Sequence, residues 1–155
     1  MSTIAERMAA AVTRITGTAP SPPSGDWRID TGDFLVTVTR DAYSRRHTFR
    51  AVAFRQDAAG RLIAAEDSID WASVDAMVAT MRSAARRART LVRVSDTLTA
   101  AGWCVDPMIP HVGSGITATR GPDTAYVYSD GDVRSDSPEA SAEARAAIED
   151  AQHEA

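Results

Sequence analysis

Arg82, Arg86, Arg89 and Arg93 follow one another at spacings of +4, +3 and +4. On a helix that spacing puts all four on one face. A guanidinium grips phosphate or carboxylate through paired N–H donors. The row is therefore a candidate face for nucleic acid or for an acidic partner; Arg87 falls off it. A solvated helix flank, or ion pairs to acidic residues further along the chain, would account for the same row without a ligand.

A second constellation sits in Pro110-His111-Val112-Gly113-Ser114-Gly115. His111 beside Ser114 has the makings of a general base and nucleophile, with Cys104 nearby in sequence. A hydrolase-like enzyme using the His111 loop is one alternative function. Against it, the chain has no G-x-S-x-G elbow, a lone loop histidine commonly caps a carbonyl, and Gly-Ser-Gly reads as a flexible connection. Cys104 reads as a small buried residue next to Trp103. The balance is against an enzyme, and no catalytic residue is assigned.

Other chemistries are weaker still. A P-loop needs a lysine, and all 17 basic residues here are arginine. A dinucleotide fold needs alternating strands and helices, which the pattern lacks. Asp130, Asp132 and Asp136 cluster without the closing glutamate of an EF-hand-type loop, and Asp130-Gly131 is chiefly a turn signal. The histidines at 47, 111 and 153 are too scattered for a zinc spacing. No cofactor and no metal is expected. Tyr126 and Tyr128 share a strand face and form a candidate partner platform, although packing against the core or the long helix would serve equally.

These side chains must be held by something. Thr3 and Glu6 form a capping box before Ile4, Met8, Val12 and Ile15, an apolar stripe at helical spacing that ends at Gly17. The Pro/Ser/Gly linker that follows makes this helix a tethered arm, packed on its own domain or on a neighbour's. Alternation at Phe34–Thr39, the run His47–Arg55 and Arg61–Ala65 give an antiparallel meander. Asp70 is a candidate cap for a long helix. Its seam is Val74, Val78, Met81, Ala85, Ala88 and Val92, supplemented by Met77, Leu91 and Leu98, and Gly102-Trp103 makes a Schellman-type stop. Unbroken, residues 71–101 would span about 46 Å. That length demands either a break near Ser95-Asp96, with Asp96 capping a second segment, or an end that projects onto another subunit. Residues 104–115 read as irregular, 116–128 as a hairpin, and Val133 as a short further strand. Pro138 starts a final helix poor in large apolar residues, marginally stable alone.

The fold class that follows is α+β: an antiparallel sheet of about 4–5 strands on one long central helix, with an N-terminal helical arm and a weak C-terminal helix. Residues 1–16 form the arm, 17–26 the linker, 27–136 the core domain and 137–155 an acidic Ala/Glu-rich tail. The 155 residues, 44% hydrophobic and 25% charged, suit one globular domain. The absence of Lys and Asn beside abundant Ala and Arg points to a GC-rich bacterium or its phage. No signal-peptide pattern and no membrane-spanning run is seen, so the cytoplasm is the expected location.

Charge is unevenly spread. Residues 40–93 carry 11 Arg and 6 acids, a net of +5; residues 94–155 carry 3 Arg and 11 acids, a net of −8. A basic middle beside an acidic end can neutralise itself or can present a face to a partner. The principal expectation is a non-enzymatic protein–protein interaction module, an adaptor, inhibitor or assembly factor, with a protein partner that includes a second copy as a homodimer. The alternative from the same arginines is a nucleic-acid-binding accessory protein.

Overall fold

A computed structural model describes residues 4–17, 27–40, 47–70, 73–108 and 114–153. In chain order the elements are α1 (Ile4–Thr16), β1 (Trp27–Asp30), β2 (Phe34–Arg40), β3 (His47–Gln56), β4 (Leu62–Asp70), α2 (Val74–Ala100), β5 (Cys104–Pro107), β6 (Gly115–Arg120), β7 (Asp123–Tyr128), β8 (Val133–Ser135) and α3 (Pro138–His153). The architecture is α+β, antiparallel throughout, and built on a long helix. The strands form two sheets of four, ordered β1-β2-β3-β4 and β5-β6-β7-β8.

The helix is long because it backs both sheets. It contacts β3 and β4 of the first sheet, β5 and β6 of the second, and both other helices. It runs unbroken for 27 residues, about 40 Å, through Ser95-Asp96. Ser73 caps it, its hydroxyl accepting from Ala76 N; Asp70 is instead the last residue of β4. At the other end Gly102 takes φ +92°, and Trp103 N donates to Leu98 O at 3.0 Å, the expected Schellman closure. The most buried residues of α2 are Met77, Thr80, Met81, Ala84, Ala88, Leu91, Val94, Ser95 and Leu98. Of the expected seam and its supplement, Met77, Met81, Ala88, Leu91 and Leu98 are buried, while Val74, Val78, Ala85 and Val92 lie at the margin.

One apolar core joins all layers. Phe34, Val36, Phe49, Ala51, Ile63 and Ala65 enter from the first sheet, and Val105, Ile116, Ala118, Val127 and Val133 from the second. α1 adds Met8, Ala11 and Val12, so the arm packs on α2 of its own chain. α3 adds Ala140, Ala144, Ala147, Ile148 and Ala151; small side chains let it lie close to α2, β7 and β8. Two further contacts fix α3. Ser137 Oγ accepts from Ala140 N. Glu143 accepts from Arg120 at 2.6 and 3.0 Å and from Trp103 Nε1 at 3.1 Å, while the Arg120 guanidinium lies 4.3 Å from the Trp103 ring centroid. Those bonds, Arg120's first and then Trp103's, hold the Glu143 carboxyl below the usual glutamate range.

The sheets meet at a buried polar clamp. Asp57, in the β3–β4 turn, has a fully buried side chain. Its carboxylate accepts from Ser95 Oγ at 2.8 Å, Arg61 Nε at 2.7 Å, Arg61 N at 2.8 Å and Ala59 N at 3.1 Å. Arg61 then donates to Thr99 Oγ1 of α2 and to Val105 O of β5. Asp96 caps the turn by accepting from Ala58 N rather than starting a helix. Burial alone would raise the Asp57 pKa; the bonds from Ser95 and Arg61 outweigh it and hold the carboxyl below its ordinary value.

Candidate functional site

The buried set of α2 puts Arg82, Arg86, Arg89 and Arg93 roughly opposite the core, at 100° per residue, and all four are exposed. Their surroundings differ. Arg82 lines a groove against α1 with Arg14, Ile15 and Val78. Arg86, Arg89 and Arg93 line a second groove of about 590 Å³ between α2, the β7–β8 turn and the end of α3. Its floor is apolar, from Leu91, Val127, Ile148 and Ala151, and its walls include Thr90 and Tyr128.

Two arginines in this region have structural duties. Arg87, the one off the row, donates to Glu66 O at 2.8 Å and lies 3.4 Å from Asp67, tying α2 to β4. Arg93 donates to Ala151 O at 3.3 Å near the C-terminal end of α3, where a cation complements the helix dipole. By contrast Arg82, Arg86 and Arg89 make no hydrogen bond or ion pair among the described residues. No described carboxylate of α3 pairs with Arg82, Arg86 or Arg89. Glu149 and Asp150 are instead exposed on α3, and Asp130 lies beside the groove on the turn.

Tyr126 and Tyr128 face away from the core, since Ala125 and Val127, which alternate with them, are the buried residues of β7. Tyr126 is 42% exposed; Tyr128 is half-buried with the Arg134 guanidinium 5.7 Å from its ring centroid. Neither side chain belongs to the buried apolar core. Tyr128 also reaches the wall of the arginine groove.

The other candidates fare differently. His111 and Gly113 lie outside the described residues, as does the rest of 109–113. Ser114 and Gly115 are no flexible connection. They are buried at the start of β6, where Ser114 Oγ hydrogen-bonds Ser129 Oγ, and Ser129 Oγ also accepts from Glu66 N of β4. A Cβ on Gly115, at φ +142°, would sit 2.1 Å from Val127 O. Cys104 is exposed even though Trp103 beside it is buried, because the first residue of β5 points outward. Asp130 accepts from Asp132 N in a turn, and Asp132 pairs with Arg134 at 3.5 Å. Among the described residues no three His, Cys, Asp or Glu side chains converge on a point that would hold a metal ion, and no described helix is long and apolar enough to cross a membrane. Comparison of the chain with protein-family models, with curated proteins and with solved structures finds no match in any of the three.

Proposed function

We propose that this protein is a non-enzymatic protein–protein interaction module of the cytoplasm, and that its working surface is the arginine face of α2, which takes an acidic segment of a partner. One observation carries this. Arg86 and Arg89 stand at the rim of an apolar-floored groove with no acidic partner among the described residues. Holding cations together unneutralised works against the compact state through mutual repulsion, and a carboxylate-bearing ligand removes that repulsion. The apolar floor offers an aliphatic side chain of the same ligand a place to bury.

The extent of the face favours a discrete acidic segment over a long polyanion. From Arg82 to Arg93 the row covers about 16 Å of helix. Beyond it a nucleic acid would run onto the exposed Glu149 and Asp150 or past Asp130. Nucleic-acid binding is the second role open to the same arginines, and one experiment separates the two. Fluorescence anisotropy is measured with a labelled peptide of alternating Glu and Leu, and with single-stranded and duplex oligonucleotides. The interaction role predicts peptide binding that weakens about tenfold in R86A/R89A. Oligonucleotides that bind more tightly than the peptide, with a steep salt dependence, would replace it with the nucleic-acid role.

A further inference from the structure

Arg86 and Arg89 are three residues apart on α2, which sets their Cβ atoms about 5–6 Å apart and brings both guanidiniums within reach of one group. Neither has a hydrogen bond or ion pair among the described residues. Arg87 between them is held away, on Glu66 O and Asp67 of β4. Two positive charges therefore stand over one part of the groove. A carboxylate pairs edge to edge with one guanidinium fork and brings a single negative charge, so the second arginine stays unneutralised. A nucleic-acid phosphodiester also carries one charge per phosphate and meets the same mismatch. Two neighbouring carboxylates would supply the charge, but at the entropic cost of ordering a second flexible side chain. A phosphomonoester brings a charge of about −1.5 to −2 and three acceptor oxygens in one group, enough for both forks.

The rest of the groove suits the same ligand. Ser83 and Thr90 lie one helical turn to either side of Arg86 and line the groove with it, and their hydroxyls add O–H donors for phosphate oxygen. Asp130 is the one acid among the described lining residues. It stands across the groove on the β7–β8 turn, where its carboxylate accepts from Asp132 N. Its charge repels an anion from that wall and favours the α2 side. At about 590 Å³ the groove falls within the range of about 300–1,000 Å³ typical of ligand sites. That is room for a side chain and its chain neighbours, not only for a bare ion, and Leu91 and Ile148 on the floor suit an apolar neighbour. Resting on the interaction role proposed above, we infer that the acidic segment is a phosphorylated one: a protein partner places a phosphomonoester side chain on Arg86 and Arg89 and lays its flanking residues on the apolar floor.

The test is fluorescence anisotropy on the full chain with labelled peptides of alternating Gly and Leu whose central residue is phosphoserine, glutamate or serine. Circular dichroism establishes that each variant folds, and the substituted side chains are exposed. The phosphoserine peptide is expected to bind at least about tenfold more tightly than the glutamate peptide, and the serine peptide not to bind. R86A and R89A should each weaken the phosphoserine peptide about tenfold, and R86A/R89A should abolish its advantage. R82A, whose side chain lines the α1 groove instead, should leave it within about twofold. An advantage that survives R86A/R89A, or that R82A removes equally, overturns the inference. So does phenyl phosphate that displaces the phosphoserine peptide at equal concentration, since the site would then take a small anion and not a partner segment. A phosphoserine peptide that binds no more tightly than the glutamate one also overturns it, while binding of the Glu/Leu peptide would leave the interaction role standing. Binding of none of these peptides removes both.

Discussion

Replacing Asp57 with Ala removes the acceptor at the centre of the clamp between the two sheets. Four donors lose their partner: the Ser95 hydroxyl, the Arg61 side chain, and the backbone N–H groups of Arg61 and Ala59. Ser95 is fully buried and cannot turn to water; the Arg61 side chain is 24% exposed and can do so in part. Bonds to an ionised acceptor contribute about 1.5–3 kcal/mol, and leaving a buried charged partner alone costs about 3–5 kcal/mol. With Arg61 partly hydrated, the lower end applies, and the loss should be about 3 kcal/mol, or roughly 10 °C in Tm for a chain of this size. Urea unfolding followed by far-UV circular dichroism measures it. A companion cycle with Ser95→Ala should show a coupling of about 1–2 kcal/mol, since the two side chains share one bond. A loss below about 1 kcal/mol, or no coupling to Ser95, would refute the assignment of this cluster as the joint between the sheets.

The same carboxylate sets the acid limit of the fold. Its folded pKa lies below its unfolded value, so its contribution is fully present above the ordinary aspartate range and is lost as the pH falls through the folded pKa. Glu143 acts in the same direction at the α3 anchor. Stability should therefore be flat near neutrality and fall below about pH 4, less steeply in D57N; an equal acid slope in D57N would contradict this. Within the arginine run, Arg87→Ala should cost about 1 kcal/mol in urea unfolding, whereas Arg86→Ala and Arg89→Ala should stay within about 0.5 kcal/mol. Equal losses at all three positions would mean that the groove arginines are structural after all. Gly115→Ala should destabilise by more than about 2 kcal/mol, because its Cβ would meet Val127 O; thermal melts that coincide with the native chain would contradict that geometry.

Local signals carried much of the fold. Period-two alternation marks β2, helical spacing marks α1, and the Gly102-Trp103 stop ends α2 where it is observed. What escaped depends on contacts distant in sequence. β5 looks irregular because its pairing partner, β6, begins only after Pro107, Pro110 and Gly113. Asp57 reads as a turn residue; its weight comes from Ser95, 38 positions away. The division of labour among the arginines was equally hidden. Arg87 is structural because Glu66 O and Asp67 come to it from β4, and no spacing rule announces that. The row itself was legible, since four exposed positions on one helix face follow from spacing alone. The apolar seam is legible in Met77, Met81, Ala88, Leu91 and Leu98, which are buried, while Thr80, Ala84 and Ser95 beside them escape a pattern of large apolar residues because they are small or polar.

The most direct measurement is a titration of the native protein with the Glu/Leu peptide, followed by NMR of the arginine side-chain Nε–Hε signals. If α2 carries the working face, the signals of Arg86 and Arg89 shift with the peptide while those of Arg61 and Arg87, already bonded inside the fold, stay in place. Shifts confined to arginines outside α2, or no shift in any arginine, would contradict the account.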